Sequence, residues 1–258
     1  MTDTAVYVYC IVKAAARPST RRLPPGIPGA AAPEVAGLGG GLWLIVSEVP
    51  LDTYGPGRLD AALRDMQWVG DVALAHEAVV EHYARAKGVT VIPAKLFTMF
   101  STLDRAVADM RSRRRDIGDA ARRIAGCEEW GVRIVRDTGA VKRAPAQAPA
   151  TGAAFLAAKK RSRDEKIESA RAAAEAALAA FDSLSMVARD ARRRDDVPDE
   201  AVSPPLLDAA FLVQAGSRAR FKAAARRAAR GCAKTGGSMT LTGPWPAYNF
   251  IHSPEGRR

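Results

Sequence analysis

The sequence predicts an α+β protein built from two domains. Three observations carry that expectation: a β-rich run almost at the N-terminus, an alternation of strand-like and helix-like segments behind it, and a Pro/Ala-rich break near the middle of the 258 residues. A chain of this length can bury one large core or two ordinary ones, since domains of roughly 100 to 150 residues are commonest. With 48% hydrophobic and 26% charged residues it has the composition of a folded globular protein.

The first strand is Val6 to Val12, rich in β-branched and aromatic residues. A Pro/Gly/Arg-rich connection from Arg17 to Ala32 follows, and the glycines at 39–41 provide a turn before Trp43 to Val49, a second strand stopped by Pro50. Those glycines precede a strand rather than a helix, which argues against a phosphate-cradling loop. From Leu59 to Ala86 apolar residues recur at helical spacing over one or two helices, with Gly88 as the stop. Val89 to Pro93 reads as a strand. Ser101 or Thr102 then caps a helix that runs to about Gly126, and Glu128 to Arg136 reads as a fourth strand. This order of strand, strand, helix, strand, helix, strand suits a ferredoxin-like α/β sandwich with helices on one face of a mainly antiparallel sheet.

Residues 137–150 read as a linker, separating a first domain at 1–136 from a second α+β domain at 151–243. The second opens with a long helical stretch from about Gly152 to Arg194. Within it Ile167, Ala170, Ala174, Ala177, Phe181, Leu184 and Ala188 follow coiled-coil spacing. Such a seam either joins chains or lies on the domain's own sheet. Leu206 to Gln214 reads as a strand, Arg218 to Gly231 as a helix, and Ser238 to Thr242 as a short strand. The tail at 244–258 holds Trp245, Tyr248 and Phe250 around Pro244 and Pro246, either fastened to the protein or displayed for a partner.

Little catalytic chemistry is visible. Only three histidines occur, at 76, 82 and 252, and the first two, six apart, sit roughly 120° apart around a helix, unlike a zinc-binding His pair. Cys10, Cys127 and Cys232 are isolated, which suits reduced cytosolic thiols. No nucleotide-binding or nucleophile-elbow motif appears, and no cofactor or metal is expected. No apolar run is long enough to span a bilayer, and the opening residues lack a basic leader. The net charge of +11 raises the possibility of a nucleic-acid partner. The excess is mostly C-terminal, 21 basic against 13 acidic after residue 136 compared with 18 against 15 before it, and much of it reads as solvated helix surface. Tyr7 and Tyr9 could stack bases, but the matching third-strand aromatics are missing around Val89 to Ile92. Nucleic acid is therefore not the expected partner.

Several segments, taken in order, resemble the gas vesicle protein F/L family. They are the Tyr7-Val8-Tyr9 strand, Leu44 to Pro50, His76 to Val80, Thr90 to Lys95, Glu129 to Arg133, Gly152 to Lys160 and, most specifically, Leu241-Thr242-Gly243-Pro244-Trp245-Pro246-Ala247-Tyr248-Asn249-Phe250. The sequence departs from the family pattern at Cys10, at Lys95 to Thr98 and at Ala247. The resemblance implies a cytoplasmic assembly protein of the gas vesicle, without catalysis, whose partners are the small hydrophobic shell protein and other accessory proteins. In that family's pattern Glu129 to Arg133 closes the first domain. The candidate partner-binding residues are Tyr7, Tyr9, Lys95, Phe97, Phe181, Trp245, Tyr248 and Phe250. The alternatives are a basic RNA-binding module and an enzyme with a dispersed site.

Overall fold

The computed structural model describes residues 3–137, 151–194 and 204–251. It divides into two units, one formed by 1–128 with 245–258 and the other by 129–244.

In the first unit β1 (Thr4–Lys13) is the central strand and is buried along nearly its whole length. It pairs antiparallel with β3 (Leu42–Pro50), which pairs with β2 (Glu34–Gly39). Short α1 (Leu51–Tyr54) and α2 (Arg58–Ala62) lead to α3 (Met66–Ala84), capped by the Asp65 carboxylate on the Gln67 and Trp68 amides. β4 (Thr90–Pro93) and β5 (Met99–Phe100) both pair with β1, giving the order β2-β3-β1-β4 with β5 beside β1. Then come α4 (Leu103–Ser112), capped by Thr102, and α5 (Arg114–Ile124).

The register of β1 against β3 shifts between Val8 and Cys10, a bulge at Tyr9. Tyr7, Tyr9, Cys10 and Val12 consequently share a core with Val72, Val79, Val80 and Tyr83 around α3. Val8 and Ile11 turn the other way, toward Met110, Ile117 and Ala120 of α4 and α5. A strand apolar on both sides needs cover on both, so the helices take both faces and not the single face expected.

The second unit begins with β6 (Cys127–Arg136). The sequence placed this strand in the first sheet, but it lies between β8 and β9 of a second sheet, ordered β7-β8-β6-β9. Its alternate residues Trp130, Val132 and Ile134 pack with Ala177, Ala180, Phe211 and Phe221, a long-range pairing that local pattern does not reveal. α6 (Gly152–Ser185) stops well short of Arg194, because Asp190–Arg193 forms β7, antiparallel to β8 (Leu207–Gln214). α7 (Arg218–Lys234) and β9 (Gly237–Trp245) complete the unit. The expected linker at 137–150, apart from Asp137, and the Pro-containing break at 195–203 lie outside the described residues, as do His252 and the rest of the tail beyond Ile251.

Candidate partner-binding surfaces

The protein has five tyrosines, and each directs its hydroxyl to a partner within the first unit. Tyr7 Oη lies 2.9 Å from His76 Nδ1. Tyr9 Oη donates to Ser47 Oγ at 3.2 Å and accepts from the Ile27 amide at 3.0 Å. A Cβ on Gly26 would come within 2.4 Å of that Tyr9 oxygen, so the connection there requires a glycine. Tyr54 donates to the Pro28 carbonyl at 2.6 Å and Tyr83 to the Ser19 carbonyl at 3.2 Å. Three core tyrosines therefore pin the Pro/Gly-rich connection, which has few apolar residues of its own to anchor it.

Tyr7 and Tyr9 are 0% exposed and their rings pack edge-on at 5.0 Å. Neither can meet a partner or stack a base on the folded protein, which corrects their assignment as contact residues. Burial pushes both phenols above their ordinary pKa. It also pushes His76 down to about 4, against a smaller opposing pull from Ala94. The imidazole thus sits neutral between the two tyrosine rings. Burial likewise raises the Cys10 and Cys232 thiols, leaving them poor nucleophiles.

Phe250 is also fully buried and is corrected in the same way. Tyr248–Phe250 forms a 3-10 turn, Tyr248 Oη donates to Glu77 Oε2 at 2.6 Å, and Arg123 Nη1 donates to the Phe250 carbonyl at 3.2 Å. Burial, then the neighbouring Glu77 carboxylate, raises the Tyr248 pKa. The tail is thus fastened by two of its three aromatics, while Trp245 remains 44% exposed.

Around 93–100, Lys95 is exposed and Phe97 half-buried. Phe97 takes a left-handed φ of 61° and stacks on Trp68 at 5.7 Å, so its ring is a packing element. Lys95 lines an apolar groove of about 440 Å³ together with Ile92, Thr98, Met110, Ile117 and Ile251. The groove went unnoticed in the sequence because it draws on β1, β4, two helices and the tail.

In the second unit the buried stripe of α6 is Ala173, Ala177, Ala180 and Leu184. Phe181, placed in the expected seam, is half-buried and packs on Phe211 at 5.6 Å, an internal contact. Residues 152–172 of the same helix contain no buried side chain, and Phe155, Leu156 and Ile167 are 54%, 66% and 57% exposed. Thr151 caps this stretch through Ala154 N, and Arg136 donates to Ser169 Oγ at 3.3 Å. The seam residues Ile167, Ala170 and Ala174 fall on this exposed part or outside the buried stripe.

Among the described residues no helix is long and apolar enough to cross a membrane. Residues 5–252 match the family model described as gas vesicle synthesis protein GvpL/GvpF. A curated relative, gas vesicle protein L of Streptomyces sp. (strain CB03234), is 27% identical over 98% of this chain and 95% of its own length. The crystal structure of GvpF from Anabaena sp. PCC7120 has a TM-score of 0.65 at 17% identity, covering 97% of each chain. GvpF from Microcystis aeruginosa gives a TM-score of 0.66 at 14% identity, over 96% of this chain and 99% of the other. The two crystal structures share the α+β fold described above, and the match over nearly the whole sequence places this chain in the GvpL/GvpF family of gas vesicle synthesis proteins.

Proposed function

We propose that this protein is a non-catalytic assembly factor that holds the small hydrophobic shell protein of the gas vesicle while the vesicle is built. The supporting observation is the N-terminal part of α6, where residues 152–172 bury no side chain yet carry Phe155, Leu156 and Ile167. A partner that covers these side chains gains the free energy of removing their apolar surface from water. An aggregation-prone apolar protein is a partner that these exposed apolar side chains suit, and other accessory proteins of the same system are further partners of this reading.

Co-purification with the shell protein tests it. The wild-type chain is expected to retain the shell protein, and the triple change Phe155→Ser, Leu156→Ser, Ile167→Ser to release it with little change in melting temperature, since these groups are already exposed. Retention by the triple variant would overturn the assignment of the surface. Failure of the wild-type chain to bind would overturn the function.

A further inference from the structure

We infer that the β2–β3 hairpin and α5 form a binding site for a small phosphoanhydride, a diphosphate or triphosphate group. β2 ends at Gly39 and β3 begins at Leu42, so Gly40 and Gly41, with φ of 60° and 74°, make a two-residue turn of the kind that needs positive φ at both positions. The turn serves more than the hairpin. A Cβ on Gly40 would lie 2.0 Å from Arg114 Nη2, so the guanidinium occupies the space that a side chain would fill. Arg114, the first residue of α5, is thereby seated on the turn, and one turn earlier Arg111 donates to the Gly37 carbonyl at 3.2 Å.

A depression of about 400 Å³ opens beside this seat, lined by Lys13, Gly40, Leu42, Arg114, Arg115, Gly118 and Arg122. Arg115, Gly118 and Arg122 follow one stripe of α5, and Gly118 leaves a gap between the two arginines. Arg122 folds back so that its Nη1 would lie 3.6 Å from a Cβ there. Four cations and no carboxylate line the space. Asp119, the next residue, is held by Arg122 in an ion pair. Lys13, Arg114 and Arg115 have no ion pair among the described residues.

Gathering like charges around a concavity is unfavourable until an anion enters, and guanidinium groups match phosphate oxygens in planar pairs. Leu42 is the one large apolar group in the lining, so nothing there is shaped to hold a nucleobase. The phosphates themselves are what the site reads, whether free or carried by a nucleotide.

Titration calorimetry on the full chain, with sodium pyrophosphate, inorganic phosphate and ATP in about 0.15 M salt, tests this. One saturable site per chain is expected for pyrophosphate and for ATP with similar affinity, and weaker binding of inorganic phosphate. Arg114→Gln should weaken pyrophosphate about tenfold, the loss of one charge-assisted contact. Gly118→Leu keeps every charge and favours the helix, yet fills the depression, so it should weaken binding while the melting temperature holds or rises. Arg227→Gln on α7 should change nothing. An absence of saturable pyrophosphate binding, binding of ATP alone, or an equal loss with Arg227→Gln would each overturn the proposal.

Discussion

The two units hold their cores together by different means. The first relies on hydrogen-bonded rings: Tyr7, Tyr9, Tyr54, Tyr83 and His76 are all nearly inaccessible, and each phenol reaches a polar partner across the fold. The second contains no tyrosine and packs Ala177, Ala180, Ala209, Ala224 and Ala225 with Phe211, Phe221, Trp130, Val132, Ile134 and Leu207. Alanines let α6 and α7 pack closely, and the larger side chains fill what remains. A polar core fixes one arrangement because every alternative strands a donor or acceptor, whereas an apolar core relies on shape and tolerates sliding. The difference also assigns tasks: the polar core binds a connection with few apolar residues of its own, which shape alone would not hold.

Substitutions can sharpen this contrast. The largest effect is expected in the second unit, where Phe221→Ala removes a fully buried ring that packs on both Trp130 and Phe211. A loss of about 3 to 5 kcal/mol is expected in denaturant unfolding. A loss below about 1 kcal/mol would mean that the alanine-rich packing collapses around the hole, contrary to a core governed by shape.

Next comes acid sensitivity, which should belong to the first unit. His76 has a folded pKa of about 4 against an ordinary 6.5, so between those values the unfolded chain binds a proton that the folded chain refuses. Stability from this residue is complete above the upper value, falls as pH drops through the window, and is lost below about 4. The full loss approaches about 3 kcal/mol. Melting temperatures measured from pH 7 to 4 should fall less steeply in His76→Gln than in the parent, and identical slopes would remove His76 as the cause.

The smallest of the three effects is Tyr9→Phe, which leaves the ring in place but strands the Ile27 amide and the Ser47 hydroxyl. We expect a loss of about 1 to 2 kcal/mol, with faster amide exchange at Ile27 as the distinguishing sign. Unchanged exchange there would show that the connection is held without the tyrosine.

Much of the fold could be read from local pattern, and what could not has a common cause. β1, β3, β8 and α7 carry strong periodicity or β-branched runs, and the structure has elements at those places. β2 contains two glycines and β7 reads Asp-Ala-Arg-Arg, so neither has strand propensity, and each is a strand because a neighbour supplies its hydrogen bonds. The seam of α6 was legible in its second half, where Ala177, Phe181, Leu184 and Ala188 all pack in the core, but not in its first, where Ala173 and not Ala174 is buried. Of the candidate contact residues, Lys95 and Trp245 remain exposed, while burial of Tyr7, Tyr9 and Phe250 depends on a bulge and on a tail that packs far from its neighbours in sequence. The groove beside Lys95 and the basic depression beside Gly40 combine residues from distant segments, which a single-sequence pattern does not bring together.

The division of the chain also sets a schedule. The second unit, 129–244, interrupts the first, which lacks Tyr248 and Phe250 until the last stretch of chain is added. As the polypeptide leaves the ribosome, the unit begun first is the one finished last, and the unit begun second has all its strands while the other still waits for its final buried ring. Any stop placed before Phe250 therefore damages the N-terminal part of the protein, and a released chain that ends at Pro244 has all of the inserted unit but an unclosed first one.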